Sequence, residues 1–179
     1  MKRIIMLSTM VLCLVTVTFG QTENAKVEKS LIGVYFIPLK VSYEHGIGNS
    51  NTVELSIGVT GETRFENDVV DFYLVPYAAL AVKNFYNLER RQEKGKNTTM
   101  NSGNFWGLSI KYGYKPINST IDYGFGSIFI APMWGIQRNY KSHFSLGLAL
   151  GVGPVITSDR TYISPKINLK LGFILFSKS

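Results

Sequence analysis

Cysteine is almost missing from this sequence: Cys13 is the single thiol in 179 residues, and His45 and His143 are the only two histidines. One thiol excludes a disulfide framework and any cysteine-ligated metal. Two histidines far apart in sequence lack the spacing of zinc ligands, so no metal site and no cofactor is expected. Nor do they offer a nucleophile and base. Ser42 and Ser145 lie near them in sequence, yet neither sits in an evident nucleophile turn, and no third orienting group accompanies the pair. Acidic side chains are scarce as well, 12 against 19 Lys and Arg. Beyond residue 20 no segment carries the 3.6-residue period of an amphipathic helix.

The one dense charged run is "RRQEKGKNTT", whose "GKNT" has the look of a phosphate-binding loop. That motif needs a glycine five positions before the Gly-Lys pair and Ser or Thr directly after it. Arg90 and Asn97 occupy those positions, so the motif fails twice. Arg90, Arg91, Lys94 and Lys96 read instead as a basic turn facing water or an anionic surface. No aromatic platform accompanies them, and nucleic acid is not an expected partner.

At the front, Lys2 and Arg3 precede an apolar stretch over residues 4–19, followed by Gly20 and Gln21. A basic start, a core too short for a helical span and small residues before the junction predict a secretory signal over residues 1–20. Its removal takes Cys13 with it and lowers the net charge from +7 to +5. Residues 21–30 then form a short N-terminal segment, residues 31–176 the folded domain, and residues 177–179 a tail.

What the domain has in abundance is alternation. Over residues 144–154, Phe144, Leu146, Leu148, Leu150 and Val152 share one face, while Ser145, Gly147, Ala149, Gly151 and Gly153 share the other. Near the end, Ile163, Ile167, Leu169, Leu171 and Phe173 alternate with Ser164, Lys166, Asn168, Lys170 and Gly172. The same period runs through residues 39–44, 53–60 and 105–114, and more loosely through 72–86 and 125–137, where Lys83 and Gln137 are the polar interior candidates. Such a pattern buries its apolar face against a second sheet in a soluble sandwich, or turns it toward lipid in a transmembrane barrel. Polar faces built from Gly, Ser and Ala suit a tight interior better than a solvated exterior. Several segments also reach the nine to eleven residues that a tilted membrane strand needs.

Aromatics recur near segment ends: Tyr43, Phe72, Tyr86, Trp106, Tyr114, Tyr123, Trp134 and Tyr140 are candidates for interfacial girdles. "GIGNSN", "RRQEKGKN" and "RNYKSH" are compact or basic connections, expected in the periplasm; "GETRFENDVVD", "KPINSTIDYG" and "TSDRTY" are polar and irregular, expected outside. Seven segments are obvious. Pro38 interrupts "LIGVYFIPLKVSYEHG" and cannot donate to a central ladder, so a turn there makes eight; the alternative is one long first strand with an eighth strand elsewhere.

"TFGQ", "VSYEHG", "NFYNLERRQEKGKNTTMNSGNFWGLSIKYGY", "MWGIQRNY" and the final "LKLGFILF" together resemble the small, porin-like outer-membrane β-barrel proteins of Gram-negative bacteria. The resemblance implies an all-β, antiparallel up-and-down transmembrane barrel of about eight strands. It also implies a place in the outer membrane, with membrane lipid and the barrel-insertion machinery as partners. Members of that group commonly finish on an aromatic that serves as the insertion signal; Phe176 fits, although Ser177, Lys178 and Ser179 follow it.

Alternation in such a barrel turns Lys40, Glu44, Glu54, Lys83, Lys111, Lys166 and Lys170 into one lysine-rich lumen, either plugged by ion pairs or forming a narrow anion-preferring path. A non-enzymatic structural, binding or minor porin-like role follows. The competing readings are a secreted soluble barrel or sandwich for an apolar ligand, and an outer-leaflet lipid hydrolase with a histidine beside a serine near the outer rim.

Overall fold

The period-two alternation produces eight antiparallel strands joined into one closed ring, each hydrogen-bonded to its neighbours in sequence and the last to the first. They are β1 (Ser30–Ile37), β2 (Leu39–Gly46), β3 (Asn51–Glu66), β4 (Val69–Asn84), β5 (Asn104–Gly113), β6 (Ser127–Asn139), β7 (Phe144–Ile156) and β8 (Thr161–Lys178). The computed structural model describes residues 25–66, 69–117 and 126–178, and for 63–66 and 69–71 the backbone alone. The signal expected over residues 1–20, Tyr123, Ser179 and much of the loop between β5 and β6 lie outside the described residues.

The expected break at Pro38 is present. β1 and β2 form a hairpin in which Phe36 pairs with Leu39, and the Ile37–Pro38 peptide is cis. Proline at a turn gives up no ladder hydrogen bond, which is why it interrupts this segment without weakening the sheet. Ring closure leaves no room for a two-sheet sandwich. Leu39, Val41, Leu55 and Ile57 are exposed on the outside, whereas Lys40, Ser42, Glu44, Glu54 and Ser56 are buried inside.

Two expectations are corrected. "GETRFENDVVD" is not an irregular connection: β3 and β4 continue through it in unbroken register from Asn51 opposite Asn84 to Glu66 opposite Val69. Its Thr63, Phe65, Val69 and Val70 are β-formers, and they outweigh the polar residues of the stretch. Second, "RRQEKGKN" is not a simple turn. Leu88–Glu93 forms a short helix, α1, followed by a 3-10 turn at Thr99–Asn101. Leu88 anchors α1 by its burial. Gly95, at φ 63°, ends it, its N–H donating to Gln92 O (2.8 Å) while Lys96 N–H donates to Arg91 O (2.9 Å). Only glycine takes that left-handed cap without strain, so the glycine that mimics a phosphate loop is a helix stop.

The connections after β2, β4 and β6 lie at the same end of the ring as the start of β1 and the end of β8, and those after β1, β3, β5 and β7 lie at the other. These are hereafter the terminal end and the loop end. The grouping expected from loop chemistry therefore holds.

Candidate functional site

The terminal end is filled. Ala25, Val27, Phe85, Leu88 and Phe105 form an apolar plug, with Met133 and Ala149 packed against it. The segment before β1 is tied beneath the barrel by Val27 N–H to Asn49 O (2.9 Å), Glu28 N–H to Asn101 Oδ1 (2.7 Å) and Met100 N–H to Glu28 Oε1 (3.0 Å). Asn97 holds the long loop after β4. Its Nδ2 donates to Asn139 O (2.6 Å), and its Oδ1 accepts from Thr99 N (3.0 Å) and Thr99 Oγ1 (2.7 Å). Of the basic residues here, Arg91 turns inward to donate to Asn97 O (2.9 Å), while Arg90 and Lys94 are exposed.

Above the plug lies a layer of buried ions. Lys83 reaches Glu44 at 3.0 Å and also pairs with Glu54, whose other oxygen accepts from Lys40 at 2.7 Å. Thr52 and Asn101 each donate to Glu44 Oε1 at 2.9 Å, so the second oxygen of that carboxylate is satisfied as well. Lys83 also lies 5.2 Å from the centre of the Phe105 ring, which stacks the ion layer directly on the plug. Lys170 stands apart. It donates to Gln137 Oε1 at 2.7 Å and lies 5.1 Å from the Tyr35 ring, but forms no ion pair among the described residues. Its aliphatic stem occupies space left by Gly147 on β7, where a Cβ would fall 2.6 Å from Lys170 Cγ.

Above the ions the lumen opens into a cavity of about 490 Å³. Besides ions of the layer below, its polar lining includes Lys111, Lys166, Asn168 and Lys170; apolar lining lies among them, with Lys111 Nζ 4.6 Å from the Tyr77 ring, Lys166 Nζ 5.9 Å from the Phe129 ring, and Ala131 and Met133 nearby. Lys111 and Lys166 share Glu62, at 3.6 and 3.8 Å. Alternation brings all seven expected lumen charges inward, five lysines and two glutamates. Glu62, which completes the set, was hidden in a stretch that reads as loop.

The cavity wall is not continuous. β1 and β2 end at Pro38, with β1 pairing β8 only over residues 171–178 and β2 pairing β3 only over residues 52–59. Above that level residues 60–66 of β3 pair only with β4, and residues 161–170 of β8 only with β7. A notch is left between β3 and β8. Ile37 and Pro38 form its floor, Thr60, Gly61 and Glu62 one side, and Lys166, Ile167 and Asn168 the other, and all of these also line the cavity. The Glu62–Lys166 pair bridges it. Ile167 on its flank is 76% exposed.

The exterior carries seven of the eight named aromatics, the eighth, Tyr123, lying outside the described residues: Tyr43, Tyr86, Trp106, Trp134 and Tyr140 toward the terminal end, and Phe72 and Tyr114 at the loop end, all exposed. Trp134 Nε1–H donates to the Tyr86 hydroxyl at 2.9 Å. The two rings of aromatics are thus unequal among the described residues, five of the named set toward the terminal end against Phe72 and Tyr114 at the loop end, with Tyr162 exposed nearby. Phe176 is exposed opposite Ile32 of β1.

Neither histidine joins Ser42 or Ser145, which are buried in the lumen. His143 occupies a left-handed turn position, at φ 65°. His45 faces outward, where Nδ1 lies 3.5 Å from Ser30 Oγ and 3.3 Å from the Tyr43 hydroxyl. That cluster sits at the terminal end and, among the described residues, has no carboxylate as a hydrogen-bond partner. Among the described residues no group of three or more His, Cys, Asp or Glu is placed to hold a metal, and no helix is long and apolar enough to cross a membrane. Comparison with family models, with curated proteins and with solved structures gives no match.

Proposed function

We propose that this chain is an outer-membrane β-barrel protein without enzymatic activity, a sealed cup with a structural or binding role. The observation that carries the reading is the inverted distribution of its side chains. Ile57 is 62% exposed on the wall, while Lys83, on the inner face of the next strand, is 3% exposed. Burying several charges costs more than burying aliphatic side chains, so in water such a sequence gains by the opposite arrangement. In a bilayer the arrangement is the favourable one, with lipid covering the apolar belt and ion pairs filling the lumen. Membrane lipid and the barrel-insertion machinery, for which Phe176 is the candidate signal, are the expected partners. The terminal end is the expected periplasmic side, since eight strands bring both ends of the barrel there.

Of the two lumen readings, the plug is favoured over the pore. An eight-stranded barrel has room for little beyond its own side chains, and here the apolar plug and the Lys83 ion cluster lie in series across it. Electrophoresis of detergent-extracted outer membranes with and without boiling tests the barrel: a band that shifts on heating supports it, and a soluble periplasmic protein refutes it. Planar-bilayer recording tests the seal, and steady open-channel current would remove it.

A second reading has one observation in its favour, the proximity of Ser30 to His45. A lipid hydrolase is expected to place a histidine beside a serine near the outer rim, whereas Ser30 and His45 lie at the terminal end. A fluorophosphonate that labels Ser30 in the native protein would promote this reading; an unlabelled protein retires it.

A further inference from the structure

We infer that the cavity is a binding site for a single-chain anionic amphiphile of the fatty-acid type, which reaches it sideways through the notch between β3 and β8. The inference rests on the cup reading above and adds its ligand class and route.

The charge of the site comes first. Among the described residues five lysines and two glutamates line the cavity: Lys40 and Lys83 pair with Glu54, and Lys111 and Lys166 share Glu62 at 3.6 and 3.8 Å, which leaves Lys170. Both of those distances exceed hydrogen-bond length, and the Lys166 and Glu62 side chains are 41% and 38% exposed. Lys170, fully inside, has an amide oxygen in place of a carboxylate. A monoanion supplies the missing charge, and a carboxylate can accept from two ammonium groups at once. Tyr77, Phe129, Ala131 and Met133 add apolar lining beside these lysines, and a volume of about 490 Å³ lies within the range of pockets that enclose small organic ligands. A bare inorganic anion would leave that apolar lining unused.

Route follows from strand length. Eight-residue strands tilted as in small barrels rise about 20 Å, less than the apolar band of about 25 Å. The notch floor at Pro38 therefore falls within the upper edge of that band. An acyl chain lying in the notch leaves its carboxylate beside Lys166. Glu62 and Lys166 close this path at rest. An incoming carboxylate competes with Glu62 for the same ammonium, so the ion pair is both latch and recognition element.

The test uses the full mature chain in phosphatidylcholine nanodiscs and radiolabelled laurate, with empty nanodiscs as the blank. One saturable site is expected, weakened about tenfold by Lys166→Met. Glu62→Gln, which frees both lysines, is expected to tighten binding severalfold, a gain that a misfolded variant cannot mimic. Dodecanol and inorganic phosphate are expected not to compete. Absence of saturable laurate, indifference to both substitutions, or full competition by phosphate each overturns the proposal. The heat shift of the same samples separates the failures: a shifted band without laurate binding sinks the site alone. If the band does not shift, the laurate measurement is made in buffer on the soluble protein, and binding that ignores Glu62→Gln there sinks the site as well.

Discussion

Lys83 on β4 reaches Glu44 on β2 at 3.0 Å although the two strands are not neighbours, so the pair crosses the inner face of β3. On the way the same ammonium takes Glu54 of β3. Three strands are braced by one side chain, and both carboxylates are buried.

Lys83→Met leaves Glu44 without a cation and Glu54 with Lys40 alone. Removing one partner of a buried pair costs about 3–5 kcal/mol, and the loss here falls at the top of that range. Lys40→Met costs less, because Glu54 keeps Lys83. The urea midpoint of the detergent-solubilised barrel measures both; equal losses would show that the two lysines carry the cluster evenly.

Ile57→Arg separates the membrane reading from the soluble one. A charge on the lipid face near the midplane costs about 2–4 kcal/mol, whereas an exposed residue in water tolerates arginine with little change. Unfolding measured in lipid vesicles should show the larger figure. A change within about 0.5 kcal/mol would place Ile57 in water.

The cup can be mapped with polar maleimides, since Cys13 is the only native thiol. Ser109 lines the cavity, and Ser145 is fully buried at the start of β7, toward the terminal end. Ser109→Cys is expected to react from the loop end in the folded barrel, and Ser145→Cys only after denaturation. Equal labelling of both would mean an open conduit.

Asn97→Ala removes three hydrogen bonds, one that holds the long loop against Asn139 of β6 and two to Thr99 that shape the loop itself. At about 1 kcal/mol net for each bond, the loop should open locally before the barrel does. Faster tryptic cleavage at Arg90 to Lys96 is expected, with the heat shift unchanged. Coincident loss of both would show that the loop is part of the barrel's cooperative unit.

The alternation of Lys40, Glu44 and Glu54 with large aliphatics was enough to place those charges inside, because a strand has only two faces. Pro38 likewise marked a turn through its missing donor. Glu62 escaped because "GETRFENDVVD" is rich in residues that also make loops, and only its pairing partner β4 decides between the two. The plug escaped for another reason: Phe85, Leu88 and Phe105 meet Val27 through a fold of the chain that carries no period. The notch follows from unequal strand lengths, which become visible only when the registers of β1 with β8 and β2 with β3 are known.

The seam between β1 and β8 joins by seven register pairs, broken by two register shifts, whereas β3 and β4 share sixteen without interruption. Heat or pulling force should therefore unzip this molecule in a fixed order, the hairpin of β1 and β2 peeling away first and the β3–β4 ribbon last. During biogenesis the reverse sequence applies. The ribbon is local and closes early, while the seam must bring together residues at opposite extremes of the domain against the largest loop entropy in the chain. The clasp of the cylinder is thus its last stitch and its first tear.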